Sequence, residues 1–305
     1  MALFRQVLKC QHYYDSVHTS QPAGFGQSFR TTRRERGGPR KPTPSSSAMR
    51  GDSMAPLADV VVVSTAAAVA EQAAERFVEA ATKALDESGR FTVALSGGTT
   101  PRSLYARLAS EPFRSRLDWS RVRVFWGDER CVPPDHPDSN YRLAEELLLS
   151  RVPIRPENIH RMRGEATDPD LAAAEYAGEL QSAFGLKRGE RPRFDLILLG
   201  MGADGHTASL FPHSPALREV TRLAVAVYVE AVKGYRLTLT LPVLNGAATV
   251  LFLISGSDKA QRLRTVLTGK PSPGAPASLV RPERGTLHWI VDRAAATGLA
   301  ETLPD

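Results

Sequence analysis

The chain has 305 residues, of which 42% are hydrophobic, and a formal net charge of +6. This composition predicts an enzyme-sized domain with a substantial core. The sequence shows neither a membrane-spanning stretch nor the apolar segment of a secretion signal. The seven histidines and two cysteines lack the spacing of zinc ligands, so we expect neither a metal nor an organic cofactor. Cys10 and Cys131 give no disulfide framework and favour a cytoplasmic location.

The positive charge is concentrated at the N-terminus. Residues 1–50 contain nine Lys/Arg and two acidic residues, a net charge of +7, which leaves about −1 for residues 51–305. The basic character of the chain is therefore no argument for nucleic-acid binding. We expect residues 1–55 to be a disordered basic extension, either an organelle transit segment or the result of a misassigned start before Met49 or Met54. Residues 56–305 are expected to form one catalytic domain.

A chain that begins at Met54 is therefore expected to keep full activity and thermal stability. Residues 1–50 offer few apolar clusters that could offset the entropy of ordering them. Limited proteolysis of the full-length protein should cut first between Arg30 and Arg50, where arginines are dense. A truncated protein that unfolds several degrees earlier, or that loses turnover, would contradict this interpretation.

Strand and helix patterns alternate along the rest of the chain. Apolar strands are predicted at residues 91–95, 122–126, 194–199 and 223–229, and helices at 66–85, 102–108, 139–149, 171–184 and 259–267. This alternation predicts an α/β fold, Rossmann-like, with a mostly parallel central sheet and helices on both faces. Residues 271–282 are rich in proline and serine and are predicted to be a surface connection.

The first polar turn follows the strand at residues 91–95. It consists of Ser96, Gly97, Gly98, Thr99 and Thr100. Pro101 suits the first turn of the helix that follows, and the free N–H groups of such a loop and helix N-terminus can hold an anion. No Gly-Lys-Ser/Thr follows, so a nucleoside triphosphate is not expected. An ordinary strand-to-helix turn would have a similar composition, and that alternative stays open on this motif alone.

The second polar turn follows the strand at residues 122–126. Gly127 is followed there by Asp128, Glu129 and Arg130. The planar guanidinium of Arg130 suits a phosphate group, and the two carboxylates could orient it or face a sugar hydroxyl. Because neighbouring residues in an extended segment point in opposite directions, we do not expect both carboxylates to share one task. A solvated run of charges after a strand remains the alternative.

The third turn is the most informative one, and it follows the strand at residues 194–199. Gly200, Gly202 and Gly205 force a tight turn that presents Asp204 and His206. Ligands of open α/β sheets bind at this end of the strands, and a histidine is a natural general base near neutral pH. The glycine spacing also fits a dinucleotide fingerprint, but Pro212 and Pro215 argue against the long helix that this motif requires. A histidine that only caps the loop is a further alternative.

Together the three turns resemble the 6-phosphogluconolactonase family, whose fold is shared with glucosamine-6-phosphate isomerase/deaminase. The resemblance extends over about residues 60–296 and includes the segments Tyr235-Arg236-Leu-Thr-Leu-Thr-Leu-Pro and Ser255-Gly-Ser-Asp-Lys259-Ala. It implies hydrolysis of 6-phosphogluconolactone with His206 as the general base; we expect Asp204, two residues earlier in the bent loop, to orient the imidazole. The phosphate-binding groups implied are the Ser96–Thr100 loop, Arg130, Arg236 and Lys259. The implied partner is a sugar-phosphate lactone, and a monomer is compatible with the sequence.

Two other functions are considered. The deaminase branch carries Asp-Glu-Tyr at the second turn and a glutamate five residues after the histidine, whereas this chain has Arg130 and Phe211 at those positions. A lactone carbonyl is already electrophilic, so the absence of that glutamate fits lactone hydrolysis better than deamination. A non-catalytic sugar-phosphate sensor could share the fold. Such a sensor would be expected to lose the Asp-Gly-His sequence, which this chain retains.

Overall fold

The computed structural model describes residues 59–299. The predictions for the N-terminal extension therefore fall outside the described residues. The nine strands are β1 (Asp59–Val63), β2 (Phe91–Leu95), β3 (Val122–Trp126), β4 (Asp128–Arg130), β5 (Leu196–Leu199), β6 (Ala224–Val229), β7 (Gly234–Leu239), β8 (Thr249–Ile254) and β9 (Thr286–Asp292), within that range. Its α-helices are α1 (Ala66–Ser88), α2 (Thr99–Leu108), α3 (Asn140–Leu147), α4 (Pro169–Phe184), α5 (Leu241–Asn245), α6 (Ala260–Thr268) and α7 (Arg293–Ala296). None of these helices is long and apolar enough to cross a membrane.

A six-stranded parallel sheet forms the centre of the fold. Its strand order is β1-β9-β8-β5-β2-β3, and every residue of β2 and β5 is buried. Since the side chains on both sides of these strands are buried, other parts of the chain must cover both faces of the sheet. This arrangement confirms the predicted α/β class. The order places β5, β2 and β3 side by side. The three polar turns therefore leave the same edge of the sheet, as predicted.

A second, smaller sheet was not predicted. It is antiparallel, with the order β4-β7-β6, and its strand β4 begins two residues after β3 ends. The predicted strand at residues 223–229 exists as β6 but belongs to this second sheet. Between β5 and β6 the chain forms a short 3-10 turn at Pro215–Arg218 instead of the long helix of a dinucleotide-binding unit. The dinucleotide alternative therefore fails.

Residues 271–282 differ from the prediction of a surface connection. Ala275, Pro276, Ala277 and Ser278 are buried. The backbone N–H of Ala277 donates to the carbonyl oxygen of Gly205 at 3.0 Å, so the segment supports the turn that carries His206. The small side chains of Ala275 and Ala277 allow the two backbone segments to approach closely. The content of proline and serine alone did not reveal that this segment would be buried.

Candidate active site

A polar pocket lies where the ends of β2, β3 and β5 meet the second sheet. Its volume is about 180 Å³. All of the residues predicted for the site line it except Asp204 and Glu129. Asp204 contacts His206, which does line the pocket. The pocket therefore unites the three polar turns with Arg236 and Lys259. It is also lined by Asn140 and Met201, which were not predicted.

The loop after β2 presents uncapped backbone donors to the pocket. Helix α2 begins at Thr99, and its N-cap residue Gly98 has a φ of 109°, a conformation that favours glycine, and provides no side-chain cap. The first N–H groups of a helix carry partial positive charge and lack partners within the helix, which suits an anion. The Ser96 hydroxyl is buried and has no hydrogen-bond partner among the described residues. The backbone of Ser96 is fixed by the Tyr105 hydroxyl, which contacts both its N–H and its carbonyl oxygen.

Two guanidinium groups lie side by side on the second sheet. Arg130 of β4 is paired in register with Arg236 of β7. The pKa of Arg236 is lowered, mainly by burial and secondly by the positive charge of Arg130. The Arg130 Nε atom is buried without a hydrogen-bond partner among the described residues, while its Nη1 donates to the carbonyl oxygen of Asp138 at 2.5 Å. Two neighbouring cations with unused donors form an environment suited to a phosphate dianion.

Lys259 lies at another part of the pocket wall. It precedes α6, and its ammonium group donates to the Ser255 carbonyl oxygen at 3.2 Å. The carboxylate of Asp258 lies 3.6 Å from the same nitrogen. One ammonium group carries three donors, so these contacts leave donor capacity for a bound anion.

Asp128 and Glu129 have different environments, as the alternation of an extended segment predicts. Asp128 lines the pocket, where its carboxylate accepts hydrogen bonds from Ser209 and Asn140. Glu129 is buried outside the pocket, and its carboxylate accepts the N–H groups of Asn140 and Tyr141 at the start of α3. Burial raises the pKa of Glu129. The structure therefore does not bring the predicted substrate-binding residue Glu129 to the pocket, and its carboxylate anchors the N-terminus of α3 instead.

His206 forms the chemically distinctive contact of the site. Its Nδ1 lies 2.6 Å from Oδ1 of Asp204, and the same carboxylate oxygen accepts the backbone N–H of His206 at 3.1 Å. Because an ionised carboxylate only accepts hydrogen bonds, a neutral imidazole in this contact carries its proton on Nδ1 and its lone pair on Nε2. The ring of Phe211 lies 4.4 Å from the imidazole ring, centroid to centroid. The imidazole is thus held on one side by an acid and on another by an aromatic ring.

The turn around His206 has little spare room. A Cβ atom at Gly202 would lie 2.3 Å from both Nδ1 and Cε1 of His206. Gly205 has a φ of 88°, and Ala208, a pocket-lining residue, also has a positive φ of 47°. The Gly202 N–H donates to the His206 carbonyl oxygen at 2.9 Å. Gly202 and Gly205 are therefore needed for the imidazole to lie where it does.

Cys131 lies next to the arginine pair but has no sign of reactivity. Burial, followed by the nearby Glu129 carboxylate, raises the pKa of the Cys131 thiol to about 11. Because the thiolate is the nucleophilic form, this cysteine is protonated and inert near neutral pH. It remains a free thiol in the structure.

Comparison with known proteins identifies the family. The family described as glucosamine-6-phosphate isomerases/6-phosphogluconolactonase matches residues 64–289. A 6-phosphogluconolactonase from Synechocystis is 43% identical over 247 residues, which cover 81% of this chain and 99% of that protein. A second, from Streptomyces coelicolor, is 38% identical over 241 residues and covers 77% of this chain and 92% of that protein.

A solved structure agrees with these sequence relatives. The 6-phosphogluconolactonase from Trypanosoma cruzi superimposes with a TM-score of 0.72 at 28% identity, and the match covers 82% of this chain and 100% of that one. The fold, the order of the polar turns and the sequence relatives point to the same group of proteins. The chain is therefore an enzyme of the glucosamine-6-phosphate isomerase/6-phosphogluconolactonase family, in its 6-phosphogluconolactonase branch.

Proposed function

We propose that this enzyme hydrolyses 6-phospho-D-glucono-1,5-lactone to 6-phospho-D-gluconate, the second step of the oxidative pentose phosphate pathway. The observation that carries the proposal is the position of the Asp204–His206 pair at a pocket that also contains two guanidinium groups and an uncapped helix N-terminus. A general base and a phosphate site at one pocket suit water attack on a phosphorylated substrate. We place this activity in residues 56–305.

In this proposal the 6-phosphate binds to the loop of residues 96–100 with Arg130, Arg236 and Lys259. The loop offers hydroxyl and backbone donors, and the basic side chains offer positive charge. Because phosphate and C1 lie at opposite ends of the substrate, anchoring the phosphate limits the positions that C1 can take relative to His206. Substrate binding thus converts part of the phosphate's binding energy into orientation of the lactone carbonyl.

His206 then acts as the general base. Its Nε2 takes a proton from water while the water oxygen attacks C1, and a tetrahedral oxyanion forms. The bond between C1 and the ring oxygen breaks next, and the imidazolium returns the proton to that oxygen. Asp204 contacts Nδ1 at 2.6 Å, so it both fixes the ring orientation and stabilises the imidazolium. The product is an open-chain carboxylic acid, which releases its proton to solvent to give the carboxylate, with the phosphate retained.

A deaminase activity is disfavoured by the surroundings of His206. Phe211 occupies the position of the second carboxylate and places an aromatic ring 4.4 Å from the imidazole. Ring opening and proton transfer in an amino sugar require an additional acid–base group there, whereas lactone hydrolysis requires one base and water. The proposal therefore assigns the site to hydrolysis.

The direct test is a coupled assay with freshly prepared 6-phosphogluconolactone, in which 6-phosphogluconate dehydrogenase reports the product. The expected result is formation of 6-phosphogluconate well above the spontaneous rate of lactone hydrolysis. A parallel assay with glucosamine 6-phosphate should release no ammonia above background. A purified, folded protein that fails to accelerate lactone opening would overturn the proposal.

Replacement of Arg130 by alanine is expected to raise KM for the phosphorylated lactone by roughly 10-fold or more, as expected for the loss of a charge-assisted hydrogen bond. Arg130→Lys should restore binding only in part, because an ammonium group cannot form the planar two-donor contact. The measurement is KM for the phosphorylated lactone beside kcat/KM for unphosphorylated gluconolactone. If the preference for the phosphorylated lactone is unchanged, Arg130 does not bind phosphate.

A further inference from the structure

We propose that Ser209 and Asn140 are positioning residues that act on the substrate through Asp128, by fixing the carboxylate plane at the pocket wall so that it accepts hydrogen bonds from the hydroxyl groups of the sugar. This inference rests on the proposed function, because it assigns the part of the site that recognises the unphosphorylated portion of the lactone. Asn140 lies outside the polar turns from which the site was predicted, and Ser209, three residues after His206, was assigned no role in the third turn.

The two oxygens of Asp128 are held separately. Ser209 Oγ donates to Oδ2 at 2.7 Å, and Asn140 Nδ2 lies 3.3 Å from Oδ1 and 2.9 Å from the Asp128 carbonyl oxygen. Both donors are buried, with exposed fractions of 0% for Ser209 and 2% for Asn140. A carboxylate with one internal donor on each oxygen cannot rotate freely about its side-chain bond.

The remaining lone pairs of Asp128 are suited to sugar hydroxyls. An ionised carboxylate accepts about four hydrogen bonds, so two internal donors leave acceptor capacity on both oxygens. Asp128 lines the pocket, and a hydroxyl is a donor that matches an acceptor-only group. The arginine pair and the α2 N-terminus attract the phosphate end of the lactone. The neutral hydroxyl groups of the lactone are then left to donate hydrogen bonds to the Asp128 carboxylate.

The network also links Asp128 to the two other turns of the site. Ser209 follows His206 by three residues, and its N–H donates to the Thr238 hydroxyl at 3.3 Å, while Thr238 pairs in register with Asp128 itself. On the other side, the Asn140 amide lies so close to the glycine loop that a Cβ atom at Gly97 would be 1.8 Å from its Oδ1. The position of the hydroxyl acceptor is thereby fixed relative to both the base and the phosphate loop.

The test is a double-mutant cycle on kcat/KM for 6-phosphogluconolactone. Ser209→Ala alone should lower kcat/KM by roughly 10-fold, as expected for one hydrogen bond to a charged group. In an Asp128→Ala background, the same substitution should change kcat/KM by less than about two-fold, because its target has gone. Asn140→Ala should lose only part of its effect in the Asp128→Ala background, because its amide also donates to the Asp128 backbone carbonyl oxygen, which remains, and lies against Gly97.

A matched control comes from the same turn. The Thr207 hydroxyl is equally buried but donates to the Gly200 carbonyl oxygen at 2.8 Å and makes no contact with Asp128. Thr207→Val should therefore lower kcat/KM by the same factor in the wild-type and Asp128→Ala backgrounds. The free energy of unfolding of every variant is measured in parallel. If Asp128→Ala does not fold, Asp128→Asn takes its place, and the effect of Ser209→Ala must again be smaller than in the wild type.

Equal factors for Ser209→Ala in both backgrounds would overturn the proposal, since the residue would then act independently of Asp128. An undiminished kcat/KM in the Ser209→Ala single variant would overturn it as well. Failure of the proposed function has a different signature, because the wild-type enzyme itself would not accelerate lactone hydrolysis. The two ideas can thus fail separately.

Discussion

Replacement of His206 by alanine is expected to lower kcat by roughly 10²–10⁴-fold, the usual contribution of a positioned acid–base group. The imidazole is the group whose Nδ1 is fixed by Asp204, and no other side chain in the lining of the pocket combines such a contact with a free basic nitrogen. The expected change in KM is small, because the phosphate is bound by other residues. The measurement is kcat and KM from the coupled lactone assay.

His213→Asn provides a matched control for His206→Ala. His213 lies seven residues further along the chain, is exposed and does not line the pocket. Its φ of 61° suits asparagine better than most residues, so the replacement is conformationally compatible. This variant should retain the wild-type kcat. Wild-type turnover by a well-folded His206→Ala protein would remove His206 from the mechanism.

A methyl group at Gly202 is expected to reduce kcat/KM by roughly 10- to 100-fold although no catalytic atom is removed, because a displacement of about 1 Å at a reacting group costs that much. The added Cβ would lie 2.3 Å from two atoms of the His206 ring and 2.7 Å from Oδ1 of Asp204, so the pair must move. The measurement is kcat/KM together with the melting temperature.

Gly200→Ala is the matched control for Gly202→Ala. A Cβ atom at Gly200 meets nothing within 4 Å, and both replacements add one methyl group to the same turn. Because Gly200 also lines the pocket, the comparison is made on kcat, and Gly200→Ala should retain more of the wild-type kcat than Gly202→Ala, since it displaces neither His206 nor Asp204. Equal losses in the two variants would mean that the turn tolerates no methyl group at either position, and the argument from displacement of His206 would then be wrong.

The sequence predicted the parts of the site that follow strands of the parallel sheet. Each such strand is a short apolar run, and the residues after it stand out as polar and glycine-rich, as at Ser96 and Gly200. Since parallel strands end at the same edge of the sheet, the turns had to converge. The alternation of side chains also predicted that Asp128 and Glu129 would not share one environment, although it did not reveal that Glu129 anchors α3.

The sequence could not reveal the contacts that come from distant segments. Ser209 and Asp128 are 81 residues apart in the sequence, and no local pattern predicts a hydrogen bond between them. Asn140 follows a serine that caps α3 and looked like an ordinary residue of the first helical turn. The second sheet was missed because β4 has three residues, too few for a periodic signal, and because the β6–β7 hairpin pairs with it only in three dimensions.

The paired arginines of β4 and β7 are also expected to make the stability of the fold depend on the anions in its surroundings. Arg130 and Arg236 are joined by backbone pairing, so the second sheet holds two like charges together whether or not an anion lies between them. A dianion that binds there stabilises the native state alone, by about 2.7 kcal/mol when its concentration is 100 times its dissociation constant. Inorganic phosphate should consequently behave as a thermal protectant of this protein, and chloride at equal ionic strength should protect it less.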